Sequence, residues 1–197
     1  ANMEGYAGVE PFEERALSMG VSPASVVKAD GNENPYGPSP RVRRVLGQFT
    51  QYHLYPDPEQ RAMRNALAVY SGTESERVVV GSGADELIDL ILRLFLEPDD
   101  VVVDCPPTFG MYRFSTHVCG GSVITVHRDS KFHLDVDGIL NAVQDGAKVV
   151  FIASPNNPTG NVTSVDDIRT ILQHGSLVVV DETYFEFSGK TVLELMP

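Results

Sequence analysis

Apolar positions along this chain alternate between two periods. Short valine-rich runs at residues 77–80, 101–105, 122–126, 149–153 and 177–180 have the length of β-strands. Between and after them, residues 85–96, 109–118, 136–144 and 165–174 carry helical spacing. In the first of these, Leu87, Leu90, Ile91, Leu94 and Phe95 recur at i, i+3, i+4, i+7 and i+8, which predicts one apolar face. Two earlier helices are predicted over 40–49 and 58–70, with Pro58 at the permitted first turn. Strands alternating with helices predict an α/β sandwich around a mainly parallel sheet. The runs Val78-Val79-Val80, Val101-Val102-Val103 and Val178-Val179-Val180 are apolar on both faces, the pattern of strands covered by helices on both sides. Residues 1–40 are rich in Gly, Pro, Asn and Ser and predict an extended arm with a short helix near 11–19. Such an arm packs on the rest of the chain or on another subunit. The expected division is therefore an arm over 1–40 and a sheet domain over 41–197.

Composition narrows the function classes. A chain of 197 residues, 42% hydrophobic and 21% charged, has enough apolar content for a sizeable core. A formal charge of −12 argues against nucleic acid, whose phosphates require clustered Lys and Arg. No apolar run reaches the ~20 residues that span a bilayer. Ala1-Asn2-Met3-Glu4-Gly5-Tyr6 offers neither a basic nor an apolar leader region, so no signal peptide is expected. Cys105 and Cys119 lack metal-ligand spacing, and two reduced thiols in a cytoplasmic protein are expected.

In an open α/β sheet, ligands bind beyond the carboxyl ends of the strands. Three strand ends stand out. Gly81-Ser82-Gly83-Ala84-Asp85-Glu86 opens a helix, and free N–H groups at a helix start attract an anion such as phosphate. The same turn also serves as a plain strand–helix connection, with Asp85 and Glu86 complementing the helix dipole. Ser154-Pro155-Asn156-Asn157-Pro158-Thr159-Gly160 is a tight proline-bounded loop. It is either a simple turn or a holder of an amide that orients a ring hydroxyl. Asp181 follows three valines, so its carboxylate is partly desolvated and calls for a cation. An anion cradle, an amide and a carboxylate together match pyridoxal phosphate (PLP), through its phosphate, 3-hydroxyl and protonated ring nitrogen.

The paired runs 154–160 and Val180-Asp181-Glu182-Thr183-Tyr184 resemble the signature of the class I/II aminotransferases. So do Asn32-Glu33-Asn34-Pro35-Tyr36-Gly37-Pro38-Ser39-Pro40, Tyr55-Pro56-Asp57-Pro58, Gly83-Ala84-Asp85-Glu86 and Cys105-Pro106-Pro107-Thr108-Phe109-Gly110-Met111-Tyr112. Within that group they resemble the histidinol-phosphate aminotransferases. The resemblance runs from about Asn32 to Tyr184 and implies the PLP-dependent fold type I, a three-layer sandwich. It implies that Ala84 and Asp85 present backbone donors to the cofactor phosphate. Tyr55 would reach the phosphate of a neighbouring subunit in a homodimer. Phe109 would stack on the pyridine ring, where many relatives have Tyr. Asn157 and Tyr184 would hold the 3-hydroxyl and Asp181 the ring nitrogen, while Asn34 and Tyr36 would help cover the substrate. The implied substrates are a small amino donor and a 2-oxo acid: histidinol phosphate and 2-oxoglutarate in histidine biosynthesis.

The family's Schiff-base lysine is expected beyond Pro197, so no catalytic residue is assigned here and the chain alone is not expected to transaminate. Lys190, in Phe187-Ser188-Gly189-Lys190, follows Asp181 too soon and sits in no matching motif. Residues 1–40 would then be the arm and part of the small domain, and 41–197 the PLP-binding large domain. Aromatic amino acid aminotransferases and threonine-phosphate decarboxylases share much of this motif set. A non-catalytic PLP-fold fragment is the alternative of a different class. A nucleotide-binding domain would need G-x-G-x-x-G or a Walker lysine, and neither is present.

Overall fold

The computed structural model describes residues 10–29 and 31–196. The stretch read above for a leader, Ala1–Tyr6, lies outside the described residues. The chain divides into two compact units between Val80 and Gly81.

The N-terminal unit carries helices α1 (Phe12–Ser18), α2 (Pro40–Gln48) and α3 (Arg61–Ser71). Ser39 starts α2, its side chain accepting from Arg41 N, with Pro40 in the first turn. α3 begins later than its apolar spacing predicts. The Asp57 carboxylate accepts from Glu59 N and Arg61 N, both at 3.1 Å, and closes a turn around Pro58. Gln60 at φ 51 then starts the helix, so Pro58 precedes it rather than entering its first turn. The strand predicted over 77–80 is absent. Ser75–Arg77 forms a 3-10 turn, held by Arg64 donating to Ser75 O, and Val79 is 72% exposed. Apolar side chains set a tendency to be buried, but a strand also needs a neighbouring backbone to pair with. Among the described residues Val78-Val79-Val80 has none.

The second unit is built on four parallel strands: β1 (Val101–Asp104), β2 (Ser122–Thr125), β3 (Val149–Ala153) and β4 (Leu177–Asp181), in the order β2-β1-β3-β4. Helix α4 (Ala84–Phe95), which precedes β1, and the crossover helices α5 (Met111–Val118), α6 (Val136–Gln144) and α7 (Val165–Leu172) cover both faces, and the short α8 spans Phe185–Ser188. Pleat alternation separates two cores. Val102, Val149, Phe151 and Ala153 pack with Ile88, Leu92 and Tyr112 on one face. Val103, Val150 and Ile152 pack with Ile139, Val143, Ile168 and Ile171 on the other. The fold is a three-layer α/β sandwich of the predicted class.

The predicted apolar face of α4 is displaced. Ile88 and Leu92 are buried, at 4% and 0% exposure, whereas Leu94 is 77% exposed and Phe95 50%. The helix is apolar over more than one stripe, so periodicity alone does not select which stripe meets the sheet. The choice falls on the i, i+4 row Ala84, Ile88, Leu92 and Leu96, which meets Val102, Tyr112 and Phe151. β4 differs from the buried strand expected at 177–180: among the described residues it pairs with β3 alone and is half-buried throughout.

Candidate functional site

Two consequences of this topology place the site. β3 and β4 end in register, with Ala153 opposite Asp181 and Ser154 N donating to Asp181 O at 2.9 Å. Beyond that last rung, Ala153, Pro155, Asn157, Asp181 and Thr183 line one pocket, while Ser154 and Glu182 line another cavity. The first pocket, about 240 Å³, is completed by residues 82–85 at the start of α4, by Phe109 and Tyr112, and by Tyr184.

The start of α4 is an open donor end. Gly83, at φ 88, precedes the helix and supplies no side-chain cap, so Ala84 and Asp85 present first-turn N–H groups. Glu86 turns back to accept from Ser82 N. That contact explains Gly81, where a Cβ would come within 2.9 Å of Glu86 Oε2 and 3.0 Å of a Leu87 methyl. Glu86 therefore caps the turn, in addition to complementing the helix dipole, and the Ala84 and Asp85 N–H groups have no side-chain cap. Among the described residues no Lys, Arg or His lines the pocket, and what they offer a negative charge there is the helix dipole and its N–H groups.

The two adjacent asparagines have opposite surroundings. Asn156 is 2% exposed and saturated. Its Oδ1 accepts from Thr108 Oγ1 at 2.9 Å, and its Nδ2 donates to Pro107 O at 2.9 Å and Thr159 Oγ1 at 2.7 Å. It ties the 106–109 segment to the 154–160 loop. Asn157 is half-buried in the pocket wall, and among the described residues its amide makes no hydrogen bond.

Asp181 is held at both oxygens. Tyr112 donates its hydroxyl to Oδ2 at 2.6 Å, and Thr183 N donates to Oδ1 at 3.0 Å. The Tyr112 ring is fully buried, stacked on Phe151 with centroids 4.7 Å apart and an interplanar angle of 8°. Phe109 meets it edge-on at 5.7 Å. Burial, and then the Asp181 charge, push the Tyr112 hydroxyl far above the ordinary phenol range, so it remains a donor. α5 starts at Met111 rather than at 109, which leaves Phe109 in the preceding turn with its ring in the pocket wall.

Behind this wall, Arg128 stitches the 105–107 segment in place. Its backbone N–H donates to Pro106 O and its Nε to Cys105 O, both at 3.0 Å, and its Nη1 donates to Phe132 O at 3.1 Å. Burial lowers the Arg128 pKa. Burial likewise pushes the Cys105 thiol up to about 12. Both cysteines are free thiols.

Of the residues singled out from sequence, Ala84, Asp85, Phe109, Asn157, Asp181 and Tyr184 line this pocket. Asn34, Tyr36 and Tyr55 belong to the N-terminal unit and are exposed, Tyr36 at 94% and Tyr55 at 101%. Asn34 is engaged locally, accepting from Tyr36 N at 3.0 Å and donating to Gly37 O at 3.3 Å. Lys190 lines the other cavity, with His133, Thr163 and Glu182. There the Glu182 carboxylate accepts from Thr191 Oγ1 and Val192 N. Among the described residues no helix is long and apolar enough to cross a membrane, and no cluster of His, Cys, Asp and Glu could hold a metal. Sequence reasoning missed Tyr112, Asn156 and Arg128. An aromatic at i+3 from Phe109, one helical turn on, was the available signal for Tyr112.

Comparisons with known proteins place the chain in a family. The chain is 44% identical over 196 residues to a histidinol-phosphate aminotransferase of Dehalococcoides mccartyi, covering 100% of this chain and 54% of that protein. It is 50% identical over 185 residues to the chloroplastic histidinol-phosphate aminotransferase 1 of Arabidopsis thaliana, covering 93% of this chain and 44% of that protein. A crystal structure of histidinol-phosphate aminotransferase from Sinorhizobium meliloti in complex with pyridoxal-5'-phosphate superimposes with a TM-score of 0.77 at 28% identity. That match covers 92% of this chain and 50% of the other. The chain thus spans about half the length of the curated relatives it matches. Residues 24–196 match the model of aminotransferase class I and II, and the chain belongs to that family.

Proposed function

We propose that the protein containing this chain is a PLP-dependent aminotransferase that exchanges the amino group of histidinol phosphate with 2-oxoglutarate. The observation that carries the reading is one pocket in which an uncapped helix start, an unbonded amide and a doubly anchored carboxylate converge. The identity of 44–50% to histidinol-phosphate aminotransferases supports the narrower substrate.

The residues present fit the cofactor. The Ala84 and Asp85 N–H groups lack a side-chain cap and suit a phosphate. The Asn157 amide and the Tyr184 hydroxyl suit the 3-hydroxyl. Asp181, with one donor on each oxygen, retains acceptor capacity for a protonated ring nitrogen. Bound there, PLP supplies an electron sink for carbanion chemistry. Asp181 keeps the proton on the ring nitrogen, because an adjacent carboxylate favours the cationic form. Asn157 would donate to the 3-oxygen of the bound cofactor, and Phe109 would shield its ring from water. The proton-shuttling lysine belongs, by the family resemblance, beyond Pro197.

In this reading residues 1–40 are the arm and part of the small domain and 41–197 the large domain. Asn34 and Tyr36 help cover the substrate. Tyr55 serves the neighbouring site of a homodimer, a role supported by exposed apolar side chains such as Val45, Leu46, Met63 and Val69. The two free thiols suit a reducing compartment such as the cytoplasm. Turnover of the full-length protein with histidinol phosphate against phenylalanine tests the assignment. Preference for histidinol phosphate is expected, and preference for phenylalanine would overturn the substrate.

A further inference from the structure

Tyr112 is placed differently from the other pocket residues. They present groups to the pocket, whereas its hydroxyl goes to Asp181 Oδ2 at 2.6 Å. The ring cannot swing to another partner without breaking its stack on Phe151 and its edge contact with Phe109. The ring is fully buried, so the hydroxyl stays aimed at Asp181 at the pocket wall. Asp181 is the last residue of β4 and is half-buried among the described residues, and a side chain so placed has several rotamers available. The Thr183 N–H holds Oδ1. Tyr112 holds the second oxygen and so fixes the plane of the carboxylate. The charged groups that act electrostatically on the Tyr112 hydroxyl are Asp181, Arg128 and Asp85.

We propose that Tyr112 is a positioning residue: by fixing the Asp181 carboxylate it makes the pocket select a ring bearing a protonated nitrogen over the same ring with carbon in that place. The inference rests on the assignment of this pocket to PLP and deepens it. A merely structural tyrosine would affect every ligand of the pocket alike. A tyrosine acting through Asp181 affects only ligands that offer this carboxylate a cationic N–H.

The test uses the full-length protein, freed of cofactor, titrated with PLP and with its 1-deaza analogue, in which C–H replaces the ring nitrogen. Fluorescence quenching gives both dissociation constants. Tyr112→Phe keeps the ring and removes one oxygen. It is expected to weaken PLP about tenfold, the scale of one hydrogen bond to a charged group, and to leave the analogue within about twofold. In an Asp181→Asn background the same substitution should change neither. Phe151→Leu, which loosens the stack but keeps the hydroxyl, should shift both ligands together. Should Tyr112→Phe fail to fold by thermal melting, 3-fluorotyrosine at position 112 tests the claim with the ring retained. As a stronger donor it should widen the ratio between the two ligands. Equal weakening of both ligands by Tyr112→Phe, full discrimination retained in it, or an unchanged ratio with 3-fluorotyrosine would overturn the inference and leave the PLP assignment standing. Equal binding of both ligands by the unsubstituted protein would overturn the role of Asp181 and the inference with it.

Discussion

Asn156 and Asn157 are neighbours of one residue type, and the structure predicts that replacing them with alanine has opposite consequences. Asn156→Ala removes three side-chain hydrogen bonds, to Thr108, Pro107 and Thr159, from a residue that is 2% exposed. Thr159 keeps its contact with Asn161, and Thr108 is half-buried and within reach of water, so their losses are partial. Each net hydrogen bond is worth about 0.5–1.5 kcal/mol, and a buried group left unpaired costs about 1–3 kcal/mol. The expected destabilisation is therefore about 2–4 kcal/mol. Asn157→Ala removes an amide with no partner among the described residues, and the expected change in stability is within about 0.5 kcal/mol. The same change deletes the donor assigned to the cofactor's 3-oxygen, which should weaken PLP about five- to tenfold. Urea denaturation of both cofactor-free variants of the full-length protein reads the first effect, and PLP titration reads the second. A loss of stability in Asn157→Ala equal to that in Asn156→Ala would refute the division of labour.

Three further outcomes follow from buried positions and from the cavity beside the site. Leu92→Ala should cost about 2–5 kcal/mol and Leu94→Ala about 0.5 kcal/mol or less, because Leu92 is fully buried and Leu94 is 77% exposed. Denaturation midpoints check this, and the reverse order would restore the α4 face predicted from periodicity. Cys105 should resist maleimide at pH 8 in the native protein while Cys119, half-buried, is labelled first. An unfolded thiol ionises near ~8.5 and folded Cys105 near about 12, so its contribution to stability is present below that window and is lost as pH rises through it. Peptide mass spectrometry and alkaline melting curves read the two effects. Lys190→Gln in the full-length protein should leave turnover within about twofold, since Lys190 lines the cavity behind Ser154 and Glu182 rather than the cofactor pocket. A loss of a hundredfold or more would give this lysine a catalytic role.

Much of this architecture is legible in residue patterns because local periodicity and burial coincide from residue 101 onward. The runs at 101–105, 122–126, 149–153 and 177–180 each find a parallel neighbour, and the helix over 136–144 keeps the predicted bounds. Patterns fail where the outcome depends on what lies across the gap. Val78-Val79-Val80 has strand-like content but no described partner, and α4 offers two apolar stripes of which packing selects one. The same limit applies at the site. Both asparagines stand in the same proline-bounded loop, and only the position of Thr108 and Pro107 makes Asn156 structural. Asp181 looks like a carboxylate awaiting a cation, yet a tyrosine 69 positions earlier reaches it. Glu86 reads as a dipole acid until its contact with Ser82 N places its carboxylate in a turn where a Cβ at Gly81 would displace it.

The most direct test of the central claim is a crystal structure of the full-length protein with PLP added. The account predicts the phosphate on the Ala84 and Asp85 N–H groups, the ring against Phe109, and the ring nitrogen within hydrogen-bond distance of Asp181. Cofactor density in the cavity beside Lys190, or a ring nitrogen that faces away from Asp181, would contradict it.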